Sequence, residues 1–246
     1  MEHLTFKKKT MKKLLAAFSI LLLSGCAELQ QVASQYPQTS GVLSNADIAA
    51  GLKEALNNGI SKEVSKLTAT DGFFRNQAVK ILLPPELQKV ETAMRKVGLG
   101  SLVDDGIKSL NRAAENAVKE STPIFVDAVR QMTFTDAKNI LLGPDDSATS
   151  YLQSKTTNPL YAKFNPVVKS SLGKVGADQI WANIITKYNA LPLVQDVNPD
   201  LNDYVTDRAL EGVFKMIAVE EQDIRNNLAA RSSNLLQRVF ALQDKK

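Results

Sequence analysis

Apolar residues recur every three or four positions along most of this chain, a spacing that predicts helices almost from end to end. Ile48, Leu52, Ala55 and Leu56 share one helical face. Ser44 and Asp47 ahead of them have capping-box spacing, and Gly59 stands where a C-terminal stop belongs. Pro85 opens a stripe of Leu87, Val90, Met94 and Val97 that ends at Gly98 and Gly100. Ser101 and Asp104 are spaced to cap the next helix, which turns Ile107, Leu110, Ala114, Ala117 and Val118 inward. Thr122-Pro123 begins a helix burying Ile124, Phe125, Ala128, Val129 and Met132. Thr135 caps a short helix through Leu142, Gly143-Pro144 ends it, and Asp145 or Asp146 caps a helix carrying Tyr151 and Leu152. Asn158-Pro159 starts a segment with Leu160 and Phe164 that Pro166 is expected to kink or break. Ile180, Trp181, Ile184, Ile185 and Tyr188 form another stripe, with Trp181 and Tyr188 expected in the core. Asn198-Pro199 begins the last region, where Leu210, Val213, Phe214, Ile217 and Ile224 precede a final helix with Leu235, Leu236, Val239 and Phe240.

One segment breaks the helical period. Phe73-Phe74 and the apolar residues 78–83, closed by Pro84-Pro85, predict either a small β-hairpin near residues 72–83 or an extended strap. The expected fold class is therefore all-α, a single bundle-like domain of many helices over residues 44–246. About 200 residues bury close to 70% of their unfolded surface without disulfides or metals.

The first 43 residues follow another logic. Five lysines (Lys7, Lys8, Lys9, Lys12 and Lys13) precede ten mainly apolar residues, 14–23, and then Leu23-Ser24-Gly25-Cys26. Ten residues are too few to cross a bilayer, which takes roughly 20. The pattern is that of a bacterial lipoprotein signal peptide, residues 1–25, cleaved so that Cys26 becomes a lipidated first residue. Met11 is an alternative start to Met1. Residues 26–43 then carry the lipid and a polar tether rich in Gln, Ser and Thr, with a mean reach of about 20–25 Å.

Cleavage changes the charge argument. The whole chain has 30 Lys+Arg, 26 Asp+Glu and a formal charge of +4; removing five lysines and one glutamate leaves 25 of each. A mature chain without net charge loses the main argument for a nucleic-acid partner. The sole histidine, His3, also leaves with the leader. With Cys26 lipidated, the mature chain has no side chains for a Ser-His-Asp or Cys-His site or for His/Cys zinc ligation. No Gly-rich phosphate loop or EF-hand loop occurs, and no cofactor is expected.

Three polar constellations remain. Asn111, Arg112 and Glu115 sit on an alanine-rich helix, where they read first as a polar clamp between helices and second as a ligand site. Glu220, Glu221, Asp223 and Arg225 read first as a register-fixing ion pair and second as paired carboxylates for acid–base chemistry. Asp136, Asp145, Asp146 and Thr149 read first as helix caps and second as oxygen ligands for a hard cation.

Several blocks in order carry a resemblance: residues 51–56 (GLKEAL), 71–76 (DGFFRN), 80–84 (KILLP), 111–115 (NRAAE), 136–143 (DAKNILLG), 145–149 (DDSAT) and 220–225 (EEQDIR). They resemble the bacterial family termed domain of unknown function 4197. The resemblance implies a helical, exported and often lipid-anchored domain without assigned chemistry. The expectation is a lipoprotein of the outer membrane facing the periplasm, binding or scaffolding an envelope protein, lipid or cell-wall partner. A carboxylate-dependent hydrolase of envelope glycans and a carrier of hydrophobic ligands are the alternatives.

Overall fold

The computed structural model describes residues 43–190, 198 and 200–244, and leaves aside the side chains of residues 89, 90, 93, 181, 184, 185, 187 and 188. The leader, Cys26 and the tether lie outside the described residues, as do the side chains of Trp181 and Tyr188. The described residues hold nine α-helices and no strand.

Helix α1 (Asn45–Thr68) begins at the expected capping box, in which Ser44 and Asp47 satisfy each other's backbone N–H groups. It does not stop at Gly59. The glycine is buried mid-helix, where an added Cβ would lie 3.1 Å from Glu220 Cγ, so it serves close approach of another helix. At about 1.5 Å per residue, the 24 residues of α1 carry the chain some 36 Å from Leu43 to the far end of the bundle.

A non-helical strap follows, residues 69–84, then a 3-10 turn (Pro85–Leu87) and α2 (Gln88–Lys96). Gly98, with φ +85°, closes α2, as the glycine signal predicts. The chain continues as α3 (Gly100–Val118), α4 (Ser121–Gln131), α5 (Phe134–Leu142) and α6 (Ser147–Gly173). Helices α7 (Ala177–Asn189), α8 (Leu201–Asn226) and α9 (Asn234–Phe240) complete it. Helix α8 packs along α1, α3 and α6, and α3 also packs on α6.

Several boundaries differ from expectation, each for a local reason. Helix α3 starts at Gly100 rather than behind Ser101, with no side-chain cap, and α4 begins at Ser121. The capping box of α5 is made by Thr133 with Asp136; Thr135 lies inside the helix. Asn158-Pro159 does not start a new helix and Pro166 does not end one: α6 runs unbroken for 27 residues. Both prolines are exposed, as are Lys155 and Ala162, whose carbonyls lose their N–H partners on the side of the helix open to solvent. The opposite face buries Leu152, Leu160, Phe164, Val168 and Leu172, each worth about 1.5–3 kcal/mol of transfer free energy, which keeps the helix whole. Phe125 and Phe214 meet edge-to-face at 5.9 Å in the same core.

The segment at 72–83 is the extended strap, with turns at its start, and not a β-hairpin. Its N–H and C=O groups pair with side chains of α3, and Gly72 passes so close to α1 that a Cβ would lie 2.3 Å from the Lys66 carbonyl oxygen.

Candidate functional site

An all-helical chain that includes a buried non-helical strap has to satisfy the strap's backbone without a neighbouring strand. Asn111 of α3 supplies that neighbour. Its Oδ1 accepts from the Ile81 N–H at 2.9 Å, and its Nδ2 donates to the Ile81 carbonyl at 2.7 Å and to the Ile107 carbonyl at 2.8 Å. One turn on, Glu115 Oε1 accepts from the Phe73 N–H at 3.2 Å. Arg112 closes the group, donating from Nη1 to Glu115 Oε2 at 2.6 Å and from Nη2 to Asp71 Oδ1 at 2.8 Å. Asp71 has φ +64°, a conformation held by this ion pair and a second one to Arg75. Asn111 and Glu115 are buried; Arg112 reaches solvent.

The second constellation joins three helices. Glu221 of α8 accepts from the Ala148 N–H at 2.9 Å and from the Thr149 N–H and Oγ1, both at 2.8 Å, so it caps the N-terminus of α6. Arg225, one turn later, donates to Glu221 Oε1 through Nε and Nη2. It also donates to the carbonyls of Ile140 (2.9 Å) and Leu141 (3.3 Å), the end of α5, and to Gln243 Oε1 at 2.8 Å. The carboxylate therefore sits at the positive end of one helix dipole and the guanidinium at the negative end of another. Glu220 points elsewhere and pairs with Lys62 of α1 at 2.5 Å.

The third constellation is not brought together. Asp136 is held in its capping box, where the Thr133 hydroxyl and backbone N–H keep its carboxyl below the usual value. Asp145 and Asp146 are exposed and make no side-chain cap, because Glu221 already holds the α6 amides. Thr149 belongs with Glu221. Among the described residues, no group of three or more His, Cys, Asp or Glu side chains is placed to hold a metal ion.

These blocks coincide with a family model described as a protein of unknown function, DUF4197, which matches residues 42–241. The chain belongs to that family. No curated protein and no solved structure matches it. In this DUF4197 domain, sequence reasoning missed two buried charges. Arg231, 2% exposed, donates to the carbonyls of Ile224 and Arg225 and pairs with Asp244, ending α8. Its signal was an arginine just beyond a helix end. Glu63 is 1% exposed; its Oε1 accepts from Lys66, and its Oε2 has no hydrogen-bond partner among the described residues.

Between α1 and α8 lies a crevice of about 30 Å³, lined by Gly59, Ala148, Ile217, Glu220, Glu221 and Arg225. That volume suits solvent and not an organic ligand. No described helix is long and apolar enough to cross a membrane.

Proposed function

We propose that this domain is held at the bacterial cell envelope by lipid on Cys26 and acts there by binding a partner at its surface. The observation that carries the reading is the commitment of the buried polar groups. Asn111, Glu115, Glu221 and Arg225 hold backbone of the strap and of helix ends, and Glu220 holds Lys62, so none is presented to a substrate. A glycan hydrolase asks for two carboxyl groups facing across a cleft at about 5 or 6.5–9.5 Å. A hydrophobic carrier asks for an apolar cavity of several hundred Å³. The crevice between α1 and α8 holds about 30 Å³, and a wider hollow of about 450 Å³ beside Ile48, Phe134, Leu141 and Leu142 also admits Asn45 and Lys138.

What remains for function is surface. Val97 (72% exposed) and Leu99 lie in the α2–α3 turn, Leu102 in the first turn of α3, and Val175 and Ile180 around the α6–α7 turn. Exposed apolar side chains of this size suit a binding role. The leader, its cleavage before Cys26 and Ala27 after it support an outer-membrane lipoprotein facing the periplasm, with acyl chains adding about 0.8 kcal/mol per buried methylene.

The test is palmitate labelling and membrane fractionation of wild type and Cys26→Ser. The reading expects label and membrane association that both disappear in the variant; unchanged labelling would overturn it. Crosslinking in intact cells followed by mass spectrometry then identifies the partner.

A further inference from the structure

The charge balance of the mature chain conceals a local excess. Helices α3 and α6 pack against each other and leave a groove of about 340 Å³, lined in part by the buried Ala113. Lys108 enters it from α3 and Lys174 from the residue after α6. Neither lysine forms an ion pair among the described residues. Arg112, in the same groove, is held by Asp71 and Glu115.

Neutral donors line the groove as well. Ser171 and Asn116 are among them; the Asn116 oxygen is taken by Lys119, which leaves its amide N–H groups for a ligand. Arg112 forms part of the floor, with its charge already answered by Asp71 and Glu115. A single carboxylate, Asp105, stands at the rim, and the Ser109 hydroxyl is turned to the Asp105 backbone carbonyl. Two lysines lining one groove with neutral donors favour a phosphate-sized anion.

Apolar side chains also border the groove. Val175 lines it at 58% exposure. Leu102, at 59%, is three residues before Asp105 and seven before Ser109, so it continues the same face of α3. Cationic and apolar side chains along one groove match a molecule with a charged head and a hydrocarbon body.

We propose that the groove between α3 and α6 binds the headgroup of an anionic phospholipid. Its phosphate lies between Lys108 and Lys174, and Leu102 and Val175 meet the start of the acyl chains. The groove adjoins the strap through the Arg112–Asp71 ion pair. The headgroup contact stands whether or not Cys26 is lipidated.

The full chain in neutral detergent is titrated with dihexanoyl phosphatidylglycerol, dihexanoyl phosphatidylcholine and inorganic phosphate, with binding read by calorimetry at low salt. Wild type is expected to bind the phosphatidylglycerol at least tenfold tighter than the zwitterionic lipid. Lys108→Gln with Lys174→Gln is expected to weaken that binding about 30-fold, the combined effect of two lysines near an anionic surface. Lys163→Gln, on the exposed face of α6 outside the groove, is the control for overall charge and is expected to change it less than twofold. Leu102→Ser with Val175→Ser is expected to weaken the lipid and leave inorganic phosphate unchanged. Equal binding of both lipids, insensitivity to the lysine pair, or inorganic phosphate bound as tightly as the lipid would each overturn the proposal. Circular dichroism of each variant confirms that loss of binding is not loss of fold.

Discussion

Two buried polar groups of this molecule solve opposite problems. At the strap end, neutral Asn111 reproduces the pairing of a missing strand for Ile81, and Arg112, the ionic member of that group, reaches solvent. At the other joint, both charges are buried: the Glu221 and Arg225 side chains are 6% and 1% exposed and sit between the ends of α5 and α6. An amide that loses its partners leaves neutral dipoles unsatisfied, whereas a buried ion that loses its partner leaves an uncompensated charge. The second joint is therefore the more sensitive to single changes, although the first carries the more irregular backbone.

The largest expected effect follows directly. Arg225→Ala strands the Glu221 carboxylate and frees the α5 carbonyls, and should lower unfolding free energy by about 3–5 kcal/mol in urea titrations. Removing Glu221 as well should cost less than the two single losses summed, because the charges leave together. Asn111→Leu keeps the volume but strips Ile81 of both backbone partners, an expected loss of about 1–3 kcal/mol by the same measurement. A loss larger than that of Arg225→Ala would reverse the comparison.

A smaller effect separates true caps from apparent ones. Thr133→Ala removes the acceptor for the Asp136 N–H and should cost about 1 kcal/mol, whereas Asp145→Ala and Asp146→Ala should stay within about 0.5 kcal/mol. The smallest signal lies outside both joints, at Tyr161. Its hydroxyl donates to Asp203, and that bond, with burial and the charges of Asp203, Asp207 and Asp200, raises its pKa from 10.0 to about 12. A raised pKa means the folded protein holds the proton more tightly. Stability from this bond is therefore complete below pH 10 and is lost as the pH rises toward 12. Thermal melts should show that decline in wild type and a flatter one in Tyr161→Phe.

The sequence carried the helices because their apolar stripes repeat locally, and it carried Ser44 because the two partners of a capping box are only three positions apart. It also grouped Asn111 with Glu115 and Glu221 with Arg225, since each pair is one turn apart on one helix. It could not show what those pairs hold. Ile81 is 30 residues from Asn111, and Ala148 is 73 from Glu221. Asp145 and Asp146 looked like the cap of α6 for the same reason: the true cap comes from a distant helix. Pro159 and Pro166 misled because their effect depends on which face meets water, and two prolines on the solvent face interrupt little. The groove at Lys108 and Lys174 was invisible to net charge, which sums over residues that never meet.

Native-state amide hydrogen exchange tests the claim that these polar side chains hold backbone. In wild type, the N–H groups of Ile81, Ala148 and Thr149 should be protected, and Asn111→Ala should expose Ile81 while leaving Ala148 and Thr149 protected relative to core amides such as Val213. An Ile81 amide that exchanges in wild type like an open loop, or joint loss of protection at all three positions in Asn111→Ala, would contradict the account.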